Sequence, residues 1–327
     1  MSIIINNRIA SAIQKDTYNI IYFAYDGYYD LSLVNATNHT FYMYLDMARY
    51  MFNTSIWQAI PRAIFLTKTR VFPEIFQSFD VVICHNRIHH YDLAKRLSDA
   101  MHIPIIAIEH TPPNQIKKED VVLLKQRKKV SRLITPHQVI NQEWGGNNTY
   151  IPYAAPQLPL GDIERIDHQI LITGEFNTQH KNLLQFILHN VQQPIILMDM
   201  DRQLQVSFKP KTFTEYRQTF QQSGIFLDLE NDSGISRHTL FAMSAGCAII
   251  THPSAVIYEV FGEDNALYAN NCHDIVKHMK TLQQDSDKRN EYGARAKKLA
   301  DTYFTQTQFA QQWTKLIDQV VLEGYKR

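Results

Sequence analysis

The sequence has little cysteine and no long apolar run. Its three cysteines, Cys84, Cys247 and Cys272, stand far apart, which excludes a disulfide framework and favours buried free thiols in a reducing compartment. No uninterrupted apolar stretch approaches the roughly 20 residues that span a bilayer. Residues 1–8 turn polar too soon for a signal peptide. We therefore expect a cytoplasmic protein without a transmembrane segment.

Glycine and proline are also sparse, with 11 and 12 residues in a chain of 327. Together with 45% hydrophobic and 20% charged residues, this excludes collagen-like, low-complexity and disordered architectures. Single cores tend to split beyond about 250–300 residues. The length thus suits one large or two medium globular domains.

The net charge of +1 hides an asymmetry between the two parts of the chain. Residues 1–155 hold 16 basic and 12 acidic residues, whereas the remainder holds 17 and 20. Much of the positive excess lies in Lys117–Arg132 (KKEDVVLLKQRKKVSR). Such a run is usually a solvated face, but it can also attract the phosphates of a nucleic acid, a lipid head group or a nucleotide.

Strand-like and helix-like segments alternate almost throughout. In the first half, Tyr18–Tyr25, Phe79–Cys84 and Ile103–Ile108 are apolar enough for buried strands, and Ile88–Met101 has its apolar residues at helical spacing. Further elements are predicted as strands at Ser131–Thr135, His168–Thr173, Pro194–Met198, Ile225–Leu229 and Cys247–Ile250, and as helices opened by Pro136, from Lys181, through Thr212–Gln222, over Ser236–Ala245, and after Ser254 and Cys272. Strand–helix–strand units form parallel sheets.

A looser segment with three prolines, Pro152–Gly161, separates the two runs of alternation. We therefore predict two α/β domains of Rossmann-like, parallel-sheet type, residues 1–155 and 156–305, joined by this hinge. In such sheets ligands bind where the strands end and helices begin. The loops after the strands are consequently the places to look for a site.

The first such loop carries Glu109 and His110 directly after Ile103–Ile108. A histidine at a strand end can act as an acid, a base or a hydrogen-bond donor near neutral pH. The alternative is a histidine that only caps its own loop.

The second loop, Glu230–Arg237, includes Ser233, Gly234, Ile235 and Ser236 and leads into a helix. Amide groups at a helix start bind anions, and Arg237 is unfavourable there unless an anion compensates it. The alternative is an ordinary serine N-cap.

The third loop places Gly174 after a strand and the basic pair His180 and Lys181 at a helix start, which also suits phosphate. A Walker A motif and a G-x-G-x-x-G are both missing, so a nicotinamide enzyme is disfavoured. Asp199-Met-Asp201 is a D-x-D triplet of a kind that is common by chance. His85, His89 and His90 lack a cysteine or carboxylate at ligand spacing, so no metal site is predicted.

With these residues in view, the chain resembles the GT-B glycosyltransferases, and among them the large family of retaining nucleotide-sugar transferases. Leu240–Thr251 (LFAMSAGCAIIT) is similar to that family's L-E-A-M-A-x-G-x-P-V-V-x, and Val256–Tyr268 (VIYEVFGEDNALY) to its G-x-P-E-x-I-x-x-G-x-N-G-L. Ile172–Gly174 followed by Lys181 resembles the element that holds the donor diphosphate. Ile103–Thr111 (IPIIAIEHT) resembles the P-x-V-x-T-x-H segment, whose histidine lies near the donor sugar.

The resemblance implies two Rossmann-like domains that face a central cleft, with residues 306–327 returning to the first domain. It implies an enzyme that moves a hexosyl or pentosyl group from a nucleotide diphosphate sugar, a UDP-sugar above all, to an acceptor hydroxyl, with retention and without a metal or other cofactor. His110 and Glu109 would be catalytic. The donor would contact the residues already singled out in the two phosphate-binding loops, together with Glu230 and Glu259.

One departure stands out, because the family's paired glutamates would fall at Ser233 and Phe241, neither of which is acidic. Either Glu230 or Asp232 replaces the ribose-binding carboxylate, or donor recognition differs, or the protein binds a nucleotide sugar without turnover. The last possibility is a non-catalytic binding protein, and it stays open from the sequence alone.

The acceptor is predicted from a looser likeness. Tyr28–Leu33 (YYDLSL) and His39–Tyr42 (HTFY) resemble glycosyltransferases of bacteriophage genomes, some of which modify their own DNA. A hydroxymethylated pyrimidine in DNA would need aromatic rings beside a basic track, which Tyr28, Tyr29 and Tyr42 could supply. His85 and Asn86 are the other acceptor candidates. A saccharide or a lipid-linked glycan is the alternative acceptor, and the same tyrosines fit equally well in the core.

Overall fold

The computed structural model describes residues 15–25, 27–45, 63–66, 79–86, 88–113, 132–145, 148–158, 163–174, 178–192, 194–199, 208, 210, 212–229 and 235–325. The chain divides into two compact units, residues 1–154 with 306–327 and residues 155–305. We refer to them as unit 1 and unit 2. The roles assigned to residues 1–155, 156–305 and 306–327 as separate functional segments remain predictions.

Unit 1 is built on a sheet of seven parallel strands in the order β3-β2-β1-β4-β5-β6-β7. The strands are β1 Asn19–Ala24, β2 Thr40–Leu45, β3 Ala63–Leu66, β4 Val81–His85, β5 Ile105–Ile108, β6 Arg132–Thr135 and β7 Thr149–Tyr150. The strand order reverses between β1 and β4, which are neighbours in the sheet although β2 and β3 lie between them in sequence. At such a switch point a crevice opens at the carboxyl ends of the strands.

Within the described residues, the helices of unit 1 are α1 Gly27–Ala36, α2 Ile88–Met101, α3 Gln138–Glu143 and α10 Gln306–Tyr325. Helix α10 comes from the far end of the sequence and packs on α1, where Phe309 and Trp313 join the core beside Tyr22. The strands β4 and β5 are buried along their whole length, as expected for a parallel sheet with both faces covered.

Unit 2 has a five-stranded parallel sheet in the order β12-β11-β10-β8-β9. Its strands are β8 Ile166–Gly174, β9 Ile195–Asp199, β10 Ser223–Asp228, β11 Ala248–Thr251 and β12 Leu267–Tyr268. Its helices are α4 Thr178–Asn190, α5 Phe213–Gln222, α6 Arg237–Ser244, α7 Ala255–Phe261, α8 Cys272–Gln284 and α9 Ser286–Tyr303. The order reverses between β8 and β10, so this sheet too has a switch point.

The predicted fold class, two parallel-sheet α/β domains, is confirmed by this architecture. Helix α2 has the predicted bounds, whereas α5 and α6 begin one residue later than predicted. Thr212 and Ser236 precede these two helices as N-caps with extended backbone, and each side chain accepts a hydrogen bond from an amide of the first turn. A capping residue is polar and directly precedes the helix, so the sequence pattern does not distinguish it from the first helical residue.

Other expectations differ from the structure at strand ends and in short elements. The strand predicted at Phe79–Cys84 is Val81–His85, which moves His85 from the turn into the strand. The strand predicted at Ile225–Leu229 begins at Ser223 and ends at Asp228. The sequence does not predict helix α1 or strands β2, β3, β7 and β12, because their apolar periodicity is short or mixed. The proline-rich segment lacks regular structure over residues 151–158, yet Ile151 and Ala154 are buried in the core.

A close backbone contact holds α9 against the rest of unit 2. Helix α6 ends in a turn in which Gly246 has a φ of 70°, a conformation that favours glycine. A Cβ atom added at Gly293 in α9 would lie 2.3 Å from the carbonyl oxygen of Gly246. Because the obstacle is backbone, it cannot rotate away, and only glycine fits at position 293.

We therefore predict that Gly293→Ala destabilises unit 2 by about 1–3 kcal/mol, the usual cost of overpacking. Helix propensity alone would favour alanine by about 1 kcal/mol, so the sign of the change decides which effect is larger. Differential scanning calorimetry of the full chain measures it, and Ala294→Gly on the exposed side of α9 serves as the control for propensity. A higher melting temperature for Gly293→Ala would contradict the close contact.

Candidate functional site

The polar residues of unit 1 converge at the switch point of its sheet. Asp30 lies in the first turn of α1, the helix after β1, and His85 is the last residue of β4. Glu109 and His110 come directly after β5. The strands β1, β4 and β5 are adjacent in the sheet, so side chains from distant parts of the sequence meet at one edge.

Three of these side chains, Asp30, His85 and His110, form with Tyr153 a continuous hydrogen-bonded chain, which we call the relay. His85 Nε2 lies 2.8 Å from Asp30 Oδ1, and His85 Nδ1 lies 2.9 Å from His110 Nε2. His110 Nδ1 lies 2.8 Å from the hydroxyl oxygen of Tyr153. All three distances are those of good hydrogen bonds.

The relay begins at a fully buried carboxylate. Asp30 also accepts hydrogen bonds from the hydroxyl of Tyr22 and from the backbone N–H of Tyr25, the latter at 2.8 Å. Opposite an ionised Asp30, His85 would donate from Nε2, because a carboxylate only accepts hydrogen bonds. With both imidazoles neutral, His85 would accept at Nδ1 from the Nε2–H of His110, and His110 would accept at Nδ1 from the hydroxyl of Tyr153.

Glu109 is held by a different set of partners. Its Oε2 accepts from the side-chain amide of Asn86 at 2.7 Å, and its Oε1 accepts from the backbone N–H of Thr111 at 2.8 Å. The His110 ring is hydrogen-bonded to His85 and Tyr153, and the role of Glu109 as its catalytic partner stays a prediction. Through its two hydrogen bonds, Glu109 ties the loop after β4 to the loop after β5.

The acceptor candidates Tyr28 and Tyr29 are buried. The Tyr28 hydroxyl donates to the carbonyl oxygen of Ala154 at 3.0 Å. Tyr29 is 1% exposed and packs edge-on against Phe309 and Trp313 of α10. These contacts favour the core interpretation of the two tyrosines over a ring-lined pocket.

Tyr29 also touches the relay. Its ring lies edge-on to His110 and to Tyr153, with centroids 5.2 and 5.6 Å away. The rings of His85 and His110 are inclined by only 16°, and those of His110 and Tyr153 by 21°. Packing therefore holds the relay rings nearly parallel, in the orientation that their hydrogen bonds need.

In unit 2, the start of α6 is fastened to the end of β10. Thr239 Oγ1 donates to the buried carboxylate of Asp228 at 2.5 Å, and the Thr239 N–H donates to the Ser236 hydroxyl at 3.1 Å. The predicted serine cap is therefore present, and Arg237 is the first residue of the helix. Asp228 pairs in register with Thr173, next to Gly174 at the end of β8. The two predicted phosphate-binding loops thus start from neighbouring strands.

The other predicted donor contacts differ in exposure. Ile235 is buried beside the cap, and Arg237 is half-buried. His180 and Lys181 are in the first turns of α4, where Lys181 is exposed. Glu259 is exposed on α7. Glu230, Ser233 and Gly234, together with Asp201 and the basic run up to residue 131, lie outside the described residues.

One histidine of unit 1 is strongly affected by burial. Burial and the neighbouring His110 lower the pKa of His137 from 6.5 to about 3. His137 precedes α3, and its ring lies 5.5 Å from that of Tyr153. It is consequently neutral in the folded protein at physiological pH.

The sequence does not single out Asp30, Tyr22 and Tyr153. Asp30 sits in a Tyr-Tyr-Asp run that resembles core, and Tyr153 lies in the proline-rich segment that the pattern marks as a linker. The only available signal is position, since Asp30 and Tyr153 each come a few residues after a strand. The histidine that each of them contacts depends on the strand order, which the sequence does not reveal.

A metal cluster and a membrane span are both absent from the part of the chain that the structure describes. Within the described ranges, no three histidine, cysteine or acidic side chains are grouped as a metal ion would require. Of the helices that the structure describes, none is both long and apolar enough to span a membrane.

Residues 199–315 match the model of a protein family described as glycosyl transferase-like. The matched segment runs from the end of β9 through unit 2 into α10. No curated protein was found to have a similar sequence.

Several solved structures resemble more than nine tenths of the chain. The crystal structure of the Anabaena protein HepE in complex with UDP and glucose has a TM-score of 0.71 at 11% identity, covering 92% of this chain and 100% of its own. The O-GlcNAc transferase of Thermobaculum terrenum has a TM-score of 0.62 at 11% identity, with 95% and 68% covered. The calicheamicin glycosyltransferase CalG4 has a TM-score of 0.54 at 11% identity, with 93% and 98% covered. At these identities the likeness shows the fold, which is that of the GT-B glycosyltransferases.

The lowered pKa of His137 predicts that unit 1 loses stability in acid. Unfolded chains protonate this histidine below about pH 6.5 and the folded protein only near pH 3, so the free energy of unfolding decreases as the pH falls through that window. The loss from this group is at most about 1.4 kcal/mol per pH unit. Urea unfolding followed by tryptophan fluorescence measures it, because Trp57, Trp144 and Trp313 all belong to unit 1.

The pH dependence should be weaker in His137→Gln. His102→Asn is the matched control, since His102 is exposed and has a φ of 54°, which asparagine tolerates. An unchanged pH dependence in His137→Gln would show that His137 titrates normally.

Proposed function

We propose that this protein is a glycosyltransferase that moves a sugar from a nucleotide diphosphate sugar to an acceptor hydroxyl. The observation that carries the proposal is the match of residues 199–315 to the glycosyl transferase-like family, on a chain with the GT-B fold. The polar residues at both switch points support it, since ligands of such sheets bind there. HepE was solved with UDP and with UDP-glucose, and a UDP-sugar is the donor that we propose.

Unit 2 would bind the nucleotide of the donor. A diphosphate at the start of α6 would offset the unfavourable Arg237, and Lys181 would add a second positive charge. Asp228, Thr239 and Ser236 hold this helix start in place before a ligand arrives. Groups that are already oriented toward the developing charge of a leaving diphosphate contribute the largest part of catalysis in many enzymes.

Unit 1 would act on the acceptor, with His110 as the central group. The four-residue relay supports a chemical role for His110, because a histidine that merely caps a loop does not need to be linked to a buried carboxylate through a second histidine. The resemblance to retaining enzymes implies retention at the anomeric carbon, which NMR of the product tests. Release of UDP from UDP-glucose tests the activity itself, and binding without turnover would favour the non-catalytic alternative.

For the acceptor, a hydroxymethylated pyrimidine in DNA is the candidate that the basic run of unit 1 favours. Arg132 is the one member of that run that the structure describes, and its guanidinium lies 2.9 Å from both carboxylate oxygens of Glu323. It is thus paired within the protein, and the attraction of phosphate would depend on the lysines and arginines before it. A saccharide or lipid-linked glycan is the alternative acceptor.

We predict that Arg237→Ala weakens the binding of UDP-glucose by about 1–3 kcal/mol, the range of a charged hydrogen bond. Removing a cation from a helix N-terminus should at the same time leave the fold as stable or slightly more stable. Isothermal titration calorimetry and a melting curve measure the two effects. Lys280→Ala, an exposed change of the same charge on α8, is the control. If both Arg237→Ala and Lys181→Ala bind UDP-glucose with the wild-type affinity, the diphosphate does not bind at this helix start.

The DNA proposal predicts that binding of hydroxymethylated duplex DNA weakens steeply with salt, with a log–log slope of about −0.9 per phosphate contact. Replacing Lys125, Arg127, Lys128 and Lys129 by serine should flatten the slope and leave UDP-glucose binding intact. A charge-matched control replaces the exposed Lys277, Lys280, Lys298 and Lys315. Transfer to a saccharide, with neither plain nor hydroxymethylated DNA accepting sugar, would refute a DNA acceptor.

A further inference from the structure

One buried hydroxyl at the carboxyl edge of the sheet of unit 2 is not satisfied by the protein. The carboxylate of Asp228 accepts from the hydroxyl of Thr239, and the hydroxyl of Ser236 accepts from the backbone N–H of Thr239. Thr173, on the neighbouring strand, is 0% exposed, and its hydroxyl has no hydrogen-bond partner anywhere in the described ranges. Buried hydroxyls without a partner are rare in folded proteins, because they lose the hydrogen bonds that water would provide.

The register of the sheet places Thr173 beside the start of α6. Thr173 of β8 pairs with Asp228 of β10, so the two residues lie one strand spacing apart, about 4.8 Å, and their side chains project from the same face. On that face the side chain of Asp228 reaches Thr239 in the first turn of α6. The hydroxyl of Thr173 is therefore directed toward the same helix start. On its other side Thr173 pairs with Met198, whose thioether is only a weak acceptor.

We propose that Thr173 is a further binding residue for the donor, and that its hydroxyl donates a hydrogen bond to the diphosphate at the start of α6. This inference rests on the proposed function, since it concerns the donor of the same transfer. It adds a group from β8 to those that α6 supplies. The sequence does not single out Thr173, because a threonine at the end of an apolar strand is an ordinary strand residue.

A diphosphate supplies the acceptor that this hydroxyl lacks. Its ionised oxygens accept hydrogen bonds, and the hydroxyl of Thr173 has a proton to donate. A hydrogen bond to an ionised acceptor is about twice as strong as one between neutral groups. Burial strengthens it further, because water does not compete for either partner. No covalent bond changes in this step, so Thr173 holds the donor and takes no part in proton transfer.

The charges around this position must allow an anion to approach. The carboxylate of Asp228 repels it, although the hydroxyl of Thr239 already donates to that carboxylate. Arg237 is the first residue of α6, and the positive end of the helix dipole lies in the same turn. Arg237 and the helix dipole therefore offset the charge of Asp228.

The test compares Thr173→Val with Thr135→Val. Valine has nearly the shape of threonine but no hydroxyl. Thr135 is a matched control, because it ends β6 in unit 1, is also 0% exposed, and likewise has a hydroxyl without a partner among the residues described. Isothermal titration calorimetry with UDP measures binding, and a melting curve of the full chain without ligand measures stability.

The two variants should differ in binding and agree in stability. We expect Thr173→Val to bind UDP about 10- to 100-fold more weakly, the range of a hydrogen bond to a charged group. Its melting temperature should equal or exceed that of the wild type, because the ligand-free protein loses an unsatisfied hydroxyl. Thr135→Val should change the melting temperature in the same direction and keep the wild-type affinity for UDP. Thr173→Ser, which keeps a hydroxyl, should bind UDP nearly as well as the wild type.

Three results would overturn the role of Thr173 and leave the proposed function standing. The first is wild-type affinity for UDP in Thr173→Val, and the second is an equal loss of affinity in Thr135→Val. The third is a Thr173→Val variant that melts well below both the wild type and Thr135→Val, which would show that the hydroxyl supports the fold. A wild-type protein that does not bind UDP at all would instead overturn the proposed function, and the role of Thr173 with it.

Discussion

The buried carboxylate of Asp30 is the constraint on which the arrangement of unit 1 depends. An ionised group without solvent must be matched by donors, and the structure brings three to it from β1, from the segment after β1 and from the end of β4. Asp30 therefore joins β1 and the segment after it to the end of β4 at the switch point. His110 and Tyr153, the outer members of the relay, are oriented as a consequence.

Apolar packing on the core side stabilises the same edge of the sheet. Tyr29 stands between the relay and the core, with its ring against His110 and Tyr153 on one side and against Phe309 and Trp313 on the other. The last two residues belong to α10, from the far end of the chain. The C-terminal helix thus contributes to the geometry of the site through packing alone.

Unit 2 repeats the principle with a smaller set of polar groups. The carboxylate of Asp228 ends β10 and holds the hydroxyl of Thr239, which also lies 2.9 Å from the Ser236 hydroxyl that caps the helix. Both units therefore use a buried aspartate near a strand end to fix the next segment of the chain. In unit 1 the aspartate is hydrogen-bonded to a histidine, an arrangement that suits proton transfer. In unit 2 it is hydrogen-bonded to the first turn of a helix, an arrangement that suits the binding of an anion.

The sequence by itself determined the strands and helices with long apolar patterns, the parallel-sheet class and the loops in which polar residues would matter, because those depend on local periodicity and on a general rule about strand ends. His110, Ser236 and Arg237 were predicted in this way as candidate site residues. Only the tertiary structure decided that Asp30 and Tyr153 join His85 and His110 and that Tyr28 and Tyr29 are core, because these contacts join residues as distant in sequence as Tyr29 and Trp313 through the order of strands and the packing of α10. Strand order is set by the packing of whole elements, which no local pattern records.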